Sequence, residues 1–471
     1  MIRHLFAILI FIVIVTLQLL LIGKVGAGDS EAYYYSWTRH LSLSYFDHPA
    51  GIAFLLRLST YIFGDNPFGL RFFSTILINL SLIIIYTIAY IHYRDTRLAI
   101  ISMVFFPLTP AFLIGGVSAS PEPPLIFFSS LSILFFYLYY EKAKDRYIIL
   151  SAIFLGIAFN FKYSALFNII GYALILFNNK IPKKRTTLTI ITILFISSLP
   201  VIIWNIFHSG VSLEYHLIKR MNLTYIPVNI LKFVGGQLLY FNPILIIFIA
   251  TKMMTIYKEQ KENIFLKLFL LLLSIAGFVM IIVKDSEPHW SSIAYIPAAI
   301  FFAKELNTYR KILSSSLILN ILIFTLFLIH LFTPIFTEGI LKNQRPEYDI
   351  TNELFGWEEV RLNIEEIAKI ENVRDDDVLL LSNHYTMAGQ LTFATHKRYS
   401  AACRGKRCNQ FTIDDIKDED RFKLIIFVTD NRYSDIPRKY RDGAIQQKLK
   451  IYRGGRVVRE FYLYIKKQVN Y

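Results

Sequence analysis

The sequence is poor in cysteine and in charge. Its 471 residues include two cysteines, Cys403 and Cys408, which are too few for a disulfide-built scaffold or a four-thiolate metal site. Charged residues make up 18% of the chain and hydrophobic residues 54%. The mean hydropathy of +0.45 is far above that of soluble globular proteins. This composition excludes a disordered chain, a fibre and a purely cytosolic enzyme.

Long apolar runs account for the high hydropathy. A helix needs about 20 apolar residues to cross a hydrocarbon core of about 30 Å, and about eleven runs approach that length. We therefore predict a polytopic α-helical membrane protein with about 11 transmembrane helices, supplemented by interfacial helices. The predicted spans are 5–23, 72–92, 98–116, 123–140, 147–161, 163–179, 187–206, 236–250, 264–283, 290–303 and 312–333.

The charges between these runs indicate an orientation. The net charge is +15, and Lys and Arg are concentrated in short loops such as Tyr93–Arg97, Glu141–Arg146 and Lys180–Arg185. The positive-inside rule explains this distribution better than nucleic-acid binding does, and it predicts a cytoplasmic N-terminus and an outer first loop, 24–71. We expect the run 5–23 to be a retained span rather than a cleaved signal peptide, because the acidic and aromatic segment after it has the character of a functional loop.

The composition changes after Thr333, where charges recur every few residues. We predict a transmembrane domain over 1–333 and a soluble domain over 334–471 on the outer face. Short apolar and alternating segments in the second domain predict a small α/β layer. The predicted strands are Val378–Leu381, Leu424–Val428, Lys448–Arg453 and Arg456–Ile465.

Both cysteines lie in this predicted soluble domain, with four residues between them. A local disulfide between Cys403 and Cys408 is consistent with an oxidising compartment outside the membrane. A zinc site is the weaker alternative, because the nearby His384 and His396 do not have ligand spacing.

Two predicted outer segments carry carboxylates next to the membrane. Asp29 and Glu31 begin a segment in which Tyr34 and Trp37 recur at helical spacing, which predicts an interfacial helix with an acidic start. Glu122 begins a predicted span in the second outer segment. Charge at membrane depth is costly and therefore indicates function. The simpler alternative is that each acid favours a helix start, which explains one carboxylate but not the aromatic run.

Basic residues lie on the same predicted face, against the positive-inside trend. Cations in such places are expected to bind an anion, and a lipid phosphate is the obvious candidate. For His48 the simpler alternative is a turn histidine beside Pro49. The candidates for binding a lipid phosphate, or a sugar attached to it, are His48, Arg57, Lys162, Lys219, Arg220 and His289. Tyr34 of the aromatic segment is a further candidate.

Carboxylates that face cations suit the transfer of a sugar from a lipid phosphate to a hydroxyl. A carboxylate can accept the hydroxyl proton as a general base, and basic side chains can stabilise the charge on the departing phosphate. We expect no obligatory cofactor, because local cations can neutralise one phosphate; a divalent metal is not indicated, although the sequence does not exclude it. The sequence contains no Walker loop, zinc-binding helix or serine elbow.

The order of these motifs resembles a known family. It is similar to the bacterial type C glycosyltransferases, the dolichyl-phosphate-mannose protein mannosyltransferase-like and lipid A aminoarabinose transferase group of glycosyltransferase families 39 and 83. The resemblance is carried by Ser30-Glu31-Ala32-Tyr33-Tyr34, Tyr45-Phe46-Asp47-His48-Pro49 and Ser120-Pro121-Glu122-Pro123-Pro124. Weaker matches follow at Lys162-Tyr163, Gly235-Gly236-Gln237-Leu238, His289-Trp290 and Arg407-Cys408-Asn409-Gln410-Phe411.

The resemblance implies a polyprenyl-phosphate sugar donor, an active site on the outer face of the bacterial inner membrane, and inversion at the anomeric carbon. The acids of the first two outer loops would be catalytic, and they fall on Asp29 or Glu31 and on Glu122. The chain departs from the family at both places, since a serine precedes Glu31 where members have aspartate, and Glu122 replaces an aspartate. His48 and Lys162 match basic positions of the phosphate site.

The expected acceptor is a hydroxyl or phosphate of a glycolipid, either lipid A or the lipopolysaccharide core. A protein hydroxyl, as in the mannosyltransferases, is the nearest alternative. A transporter or flippase for a lipid-linked sugar is less favoured, because such proteins usually contain repeated halves and this sequence has no visible repeat. A membrane-anchored sensor is the weakest alternative, because it does not need carboxylates in two loops. Nucleic acid is not an expected partner.

Overall fold

The computed structural model describes residues 2–178, 182–221, 226–284, 286–335 and 345–468. Lys180 of the predicted inner loop and residues 336–344 of the predicted soluble domain lie outside these ranges. The chain forms two compact units, and the predicted division after residue 333 stays a prediction. Unit 1 contains Met1–Leu20, Ser42–Ile52 and Phe73–Phe324, and unit 2 contains Leu21–Leu41, Ala53–Phe72 and Thr325–Tyr471.

Most of the described chain before the sheet is helical. The α-helices are α1 Ile2–Leu21, α2 Asp29–Ser36, α3 Gly51–Phe63, α4 Pro67–Tyr93, α5 Thr96–Phe105, α6 Pro110–Gly115, α7 Glu122–Lys142, α8 Asp145–Phe159, α9 Leu166–Asn178, α10 Lys184–Phe207, α11 Val211–Glu214, α12 Ile226–Tyr240, α13 Pro243–Gln260, α14 Ile264–Ile282, α15 Tyr295–Phe301, α16 Ala303–Thr308 and α17 Arg310–Phe332.

Among the described residues, six helices are long and apolar enough to cross a membrane: α1, α4, α7, α10, α14 and α17. Helices α12 and α13 pass the same test as a pair, but a bend of 113° separates them. The chain is therefore a multi-pass membrane protein, as predicted. The other predicted spans, 98–116, 147–161, 163–179 and 290–303, fall on helices that are shorter or interrupted.

Proline accounts for one of these interruptions. The predicted span 98–116 ends its first helix at Phe105, continues as a 3-10 turn and restarts at α6, whose first residue is Pro110. Proline has no N–H for the helical ladder, while the hydropathy of the run remains high across the break. Counting apolar runs therefore overestimates how many continuous crossing helices the described chain has.

Asparagine side chains satisfy the backbone that this break exposes. Asn320 Nδ2 donates to the carbonyl oxygen of Pro107 at 2.6 Å, and Asn242 Nδ2 donates to the carbonyl oxygens of Leu108 and Ser316 at 3.1 and 3.0 Å. Irregular backbone within a membrane is tolerated where protein groups supply its hydrogen bonds. These buried amides are thus structural.

The core of unit 1 is aromatic and aliphatic. Phe136 stacks on Tyr172 with ring centroids 3.9 Å apart, and Phe241 stacks on Tyr295 at 3.8 Å. Helices α1, α10 and α17 are mostly exposed: 11%, 17% and 11% of the residues in their most apolar stretches are buried. Such apolar surface suits contact with lipid.

Unit 2 contains the predicted α/β layer. In the described part of the chain five strands form one sheet in the order β2-β1-β3-β5-β4, with β1 parallel to β2 and β3, and β5 antiparallel to β3 and β4. The predicted strands are thus confirmed. The strands are β1 Val378–His384, β2 Ser400–Arg407, β3 Leu424–Asp430, β4 Ile445–Arg453 and β5 Arg456–Lys467, and the helices are α18 Trp357–Ile370, α19 Tyr385–Ala394 and α20 Arg438–Arg441.

Helix α18 buries Trp357, Val360 and Ile364 in the core of the sheet layer. Their spacing of three and four residues is that of an amphipathic helix. Cys403 and Cys408 form a disulfide, as the sequence suggested.

Candidate functional site

Glu122 forms the centre of a charged cluster in unit 1. Its Oε1 atom accepts hydrogen bonds from Lys162 Nζ and, at 2.8 Å, from His289 Nε2. The side chains of Lys162 and Glu122 are 7% and 15% exposed. We call Glu122, Lys162 and His289 the Glu122 cluster. It joins residues from three distant parts of the sequence, all of which were predicted site residues.

The backbone around Lys162 is fixed by hydrogen bonds. Lys162 lies in the turn after α8, where Asn160 Nδ2 donates to the carbonyl oxygens of Gly156 and Ser197 at 2.9 and 2.8 Å. The carbonyl oxygen of Asn160 accepts from the backbone N–H of Gly51 at 2.8 Å. These contacts fix the backbone from which the Lys162 side chain extends to Glu122.

His289 lies in a 3-10 turn, Pro288–Ala294, that packs against α12. Gly236 of α12 permits this packing, since a Cβ atom there would come within 2.3 Å of Pro288 Cγ. Beside it, Gln237 Oε1 accepts from Ser291 Oγ at 3.0 Å and from the Tyr295 hydroxyl at 2.7 Å. The predicted Gly-Gly-Gln motif therefore positions the His289 turn.

Two histidines and an arginine accompany the cluster. His48 interacts electrostatically with Lys162 and Glu122, and burial together with Lys162 lowers the pKa of His48 well below its usual range. Burial, with Arg220 nearby, lowers the pKa of His216 to about 4. Both histidines are thus neutral near pH 7 and act as hydrogen-bonding groups. The N–H at His216 Nε2 donates to the carbonyl oxygen of Asp47 at 2.9 Å.

Arg220 adds a guanidinium beside these histidines. Its guanidinium lies over the Trp290 ring at 4.9 Å and the Tyr215 ring at 5.7 Å. Aromatic faces hold a guanidinium by a cation–π interaction without neutralising it. Lys219, by contrast, pairs with Glu214 at 3.1 Å, and both side chains are about half exposed; its predicted role at the donor stays a prediction.

Asp29 belongs to unit 2, where it begins α2 and is 6% exposed. Its Oδ2 atom accepts from Arg432 Nη1 at 2.8 Å, and its Oδ1 atom accepts from Gln390 Nε2 at 3.1 Å. The backbone N–H of Asp29 donates to Glu353 Oε1 at 3.2 Å. Burial, followed by the charge of Asp29, raises the pKa of Glu353 to about 7.

Glu31, also in unit 2, forms a two-pronged ion pair with Arg71. Arg71 Nε donates to Glu31 Oε1 at 2.8 Å, and Arg71 Nη2 donates to Oε2 at 2.6 Å. Arg71 also donates to the carbonyl oxygens of Ile22, Val25 and Gly26. Glu31 thus anchors the arginine that closes the turn after α1, and this geometry suits a structural role.

The remaining predicted site residues also lie in unit 2. Arg57 Nη1 donates to the carbonyl oxygen of Thr38 at 3.4 Å, and the Tyr34 ring packs against Trp37 at 5.0 Å. The partners that hold the first-loop acids, Arg71 and Arg432, were not predicted. Arg71 lies near the start of α4, whereas Arg432 carries no local signal beyond its position after a buried strand.

Comparisons with known proteins agree with the sequence motifs. Residues 47–204, about a third of the chain, match the family described as dolichyl-phosphate-mannose-protein mannosyltransferase. The lipid A galacturonosyltransferase RgtD of Rhizobium johnstonii is 22% identical over 39% of this chain and 40% of its own length. The undecaprenyl phosphate-alpha-4-amino-4-deoxy-L-arabinose arabinosyl transferase of Pseudomonas aeruginosa is 29% identical over 25% of this chain and 22% of its own length. The chain thus spans less than half the length of these relatives.

The fold has a counterpart among solved structures. Two crystal structures of ArnT from Cupriavidus metallidurans, in the apo state and bound to undecaprenyl phosphate, match with TM-scores of 0.67 and 0.66. Each match covers 98% of this chain and 97% of ArnT at 11% identity. The chain therefore has the fold of ArnT. Together with the family match and the relatives, this fold confirms the predicted resemblance to families 39 and 83.

Proposed function

We propose that this protein is an integral membrane glycosyltransferase that moves a sugar from a polyprenyl-phosphate donor to a glycolipid acceptor, lipid A or the lipopolysaccharide core. The Glu122 cluster is the observation that carries the proposal. It combines one carboxylate with Lys162 and His289 in a largely buried place at helix ends of a multi-pass membrane unit. The reaction needs these same two kinds of group, an acid and a set of cations.

In the proposed step the oxygen of the acceptor hydroxyl attacks the anomeric carbon of the donor sugar. The bond between that carbon and the phosphate oxygen breaks, and the configuration inverts. The hydroxyl proton goes to a carboxylate, for which Glu122 is our candidate. The departing phosphate competes with Glu122 for Lys162, which leaves the carboxylate available for the proton.

The other polar groups act on the phosphate in this scheme. Lys162 and Arg220 balance its negative charge, and the neutral His48 and His216 can supply hydrogen bonds instead of further charge. Because this chain offers its own cations, the step does not call for a metal. We expect that chelators leave the activity unchanged.

The names of the relatives support the proposed donor and location. RgtD is named for lipid A, and the arabinosyl transferase is named for an undecaprenyl-phosphate sugar. By analogy we place this chain in the inner membrane of a bacterium, with its N-terminus in the cytoplasm and its sheet domain outside. The disulfide in that domain supports an oxidising compartment.

Mass spectrometry of the host's lipid A and glycolipids tests the proposal. Deleting the gene should remove one sugar residue from a glycolipid. The wild-type gene should restore that sugar, and Glu122→Gln should not. Unchanged glycolipids in the deletion strain, together with loss of a sugar from secreted proteins, would favour a protein acceptor.

Binding of undecaprenyl phosphate to the purified protein tests the donor end separately. Lys162→Met should weaken binding about tenfold or more, since it removes a charge-assisted contact. Lys232→Met is the matched control, because Lys232 is an exposed lysine of α12 and its loss should leave the affinity unchanged. Equal affinity of both variants would contradict the assignment of Lys162.

A further inference from the structure

The sheet of unit 2 has the strand topology at which α/β domains bind ligands. Strand β1 lies between the parallel strands β2 and β3, and the chain leaves β1 through α19 towards β2 on one side. Ligands of open α/β sheets bind at the carboxyl ends of strands where the chain turns to opposite sides. Here Arg432 follows β3 and α19 follows β1.

A segment of the same unit occupies this edge. The Asp29 carboxylate accepts from Arg432 Nη1 at 2.8 Å and from Gln390 Nε2 of α19 at 3.1 Å. Gln390 Nε2 also donates to the carbonyl oxygen of Ala27 at 2.8 Å. The first-loop helix α2 thus lies where a ligand would be expected, with its carboxylate as the bound anion.

Arg432 is itself fixed by an alternating row of charges. Arg432 Nε and Arg459 Nε each donate to Asp430 Oδ2 at 2.8 Å. Asp430 has no exposed surface, and Arg459 is 2% exposed. Two arginines thus balance the two carboxylates Asp29 and Asp430. Buried charges are stable only when paired, so the position of Arg432 is set from the sheet.

Backbone packing holds the rest of α2. A Cβ atom on Gly389 of α19 would lie 2.7 Å from Tyr33 Cα, so the two helices touch backbone to backbone. The hydroxyl of Tyr33 accepts from the backbone N–H of Gln410 at 3.0 Å. Gln410 lies in the turn next to the Cys403–Cys408 disulfide. This explains the Arg407–Phe411 motif, which the proposed reaction does not use.

We propose that the sheet domain positions α2, with Arg432, Gln390 and Gly389 as positioning residues that orient the Asp29 carboxylate for sugar transfer. This inference rests on the proposed function. A carboxylate has about four acceptor positions. The two contacts therefore orient Asp29 and leave acceptor positions for a further hydrogen bond. The domain acts on the reaction through the helix that it holds.

Hydrogen–deuterium exchange on the full-length protein in detergent tests the docking without an activity assay. Arg432→Met and Gly389→Ala should each speed exchange in residues 29–36 and leave exchange in α14 unchanged. Arg441→Met is the control, since Arg441 is an exposed arginine of the same domain. Unchanged exchange in residues 29–36 in both variants would overturn the inference.

Transfer kinetics test the consequence for the reaction, with membrane lipid extract from the host as the donor and acceptor source. Arg432→Met should lower kcat about tenfold or more while KM changes little, because a misplaced group affects the reacting geometry. Gln390→Glu replaces the amide donor to Asp29 with a carboxylate that repels it, so this variant should also have a lower kcat. Full kcat in Arg432→Met would overturn the inference. Faster exchange in the Arg432→Met and Gly389→Ala variants, together with a wild type that transfers no sugar, would instead leave the docking intact and refute the proposed function.

Discussion

At the scale of residues, the three predicted catalytic acids are not equivalent. The Oε1 atom of Glu122 accepts hydrogen bonds from a lysine and a histidine. Asp29 is oriented by an arginine and an amide. Glu31 is held by Arg71, which also ties down three backbone carbonyl groups. These contacts favour Glu122 and Asp29 for chemistry and Glu31 for structure.

Substitutions of Glu122 and Lys162 should have non-additive effects on the stability of the protein, because the two side chains form an ion pair. Lys162→Met leaves a largely buried carboxylate with only His289 as its partner in the cluster, and breaking such a pair costs about 3 kcal/mol. The double variant Lys162→Met/Glu122→Gln removes both charges and should melt at a higher temperature than Lys162→Met alone. Thermal unfolding in detergent measures this, and additive effects of the two substitutions would contradict the pairing.

Glu31→Gln should destabilise the protein rather than impair chemistry specifically. The substitution leaves the Arg71 side chain, which is 3% exposed, without its carboxylate, at a cost of about 3 kcal/mol. Glu214→Gln is the matched control, because its pair with Lys219 is exposed and should contribute less than about 1 kcal/mol. A Glu31→Gln protein with wild-type melting temperature and lost activity would instead make Glu31 catalytic.

The raised pKa of Glu353 predicts that the stability of unit 2 depends on pH. Burial and the neighbouring Asp29 raise the pKa of Glu353 from 4.5 to about 7, while Arg432 opposes the rise and Glu31 adds to it. A raised pKa in the folded state means that protonation stabilises the fold; this contribution is full below pH 4.5 and is lost as the pH rises through about 7. Glu353→Gln should therefore make the melting temperature less dependent on pH between 4.5 and about 7. A variant with the pH dependence of the wild type would refute the assignment.

At the scale of elements, apolar runs located the helices but not their breaks. The run 236–250 crosses a 113° bend between α12 and α13, where Asn242 has a positive φ of 74°. A mean hydropathy taken along the sequence does not reveal such a bend, because the residues on both sides of it are apolar. The breaks carry the polar side chains, since a helix end offers backbone groups and space that a continuous helix lacks.

The two glycines of α12 provide a matched test of element packing. Gly236→Ala should push the His289 turn away, because the new Cβ atom would meet Pro288 at 2.3 Å, whereas Gly235 has open space around its own Cβ position. Both substitutions raise helix propensity equally. Transfer should fall about tenfold or more in Gly236→Ala and stay at the wild-type rate in Gly235→Ala. Equal rates would show that the turn does not need this close contact.

At the scale of the whole molecule, the sequence predicted the class of fold and most candidate residues. Membrane helices and sheet strands are local patterns, so composition and periodicity reveal them. The partners of the acids are not local: Lys162 lies 40 residues from Glu122, and Arg432 lies 403 residues from Asp29. A single sequence considered on its own contains no signal for such pairs.

The resemblance implies one active site that contains both the first-loop acids and Glu122, and this shared pocket stays a prediction. Asp29 and Glu31 belong to unit 2 and Glu122 to unit 1. Labelling of Ser30→Cys and Ser118→Cys with a membrane-impermeant thiol reagent tests whether both loops are on the outer side. Label on one residue but not the other in intact cells would rule out a shared pocket.

Sugar transfer by the purified protein tests the central claim most directly. Wild type, Glu122→Gln and the Lys232→Met control would be incubated in detergent with radiolabelled polyprenyl-phosphate sugar and lipid A from the host. Label should move to lipid A with the wild type and the control, and Glu122→Gln should abolish the transfer while melting like a folded protein. Undiminished transfer by Glu122→Gln would contradict the account.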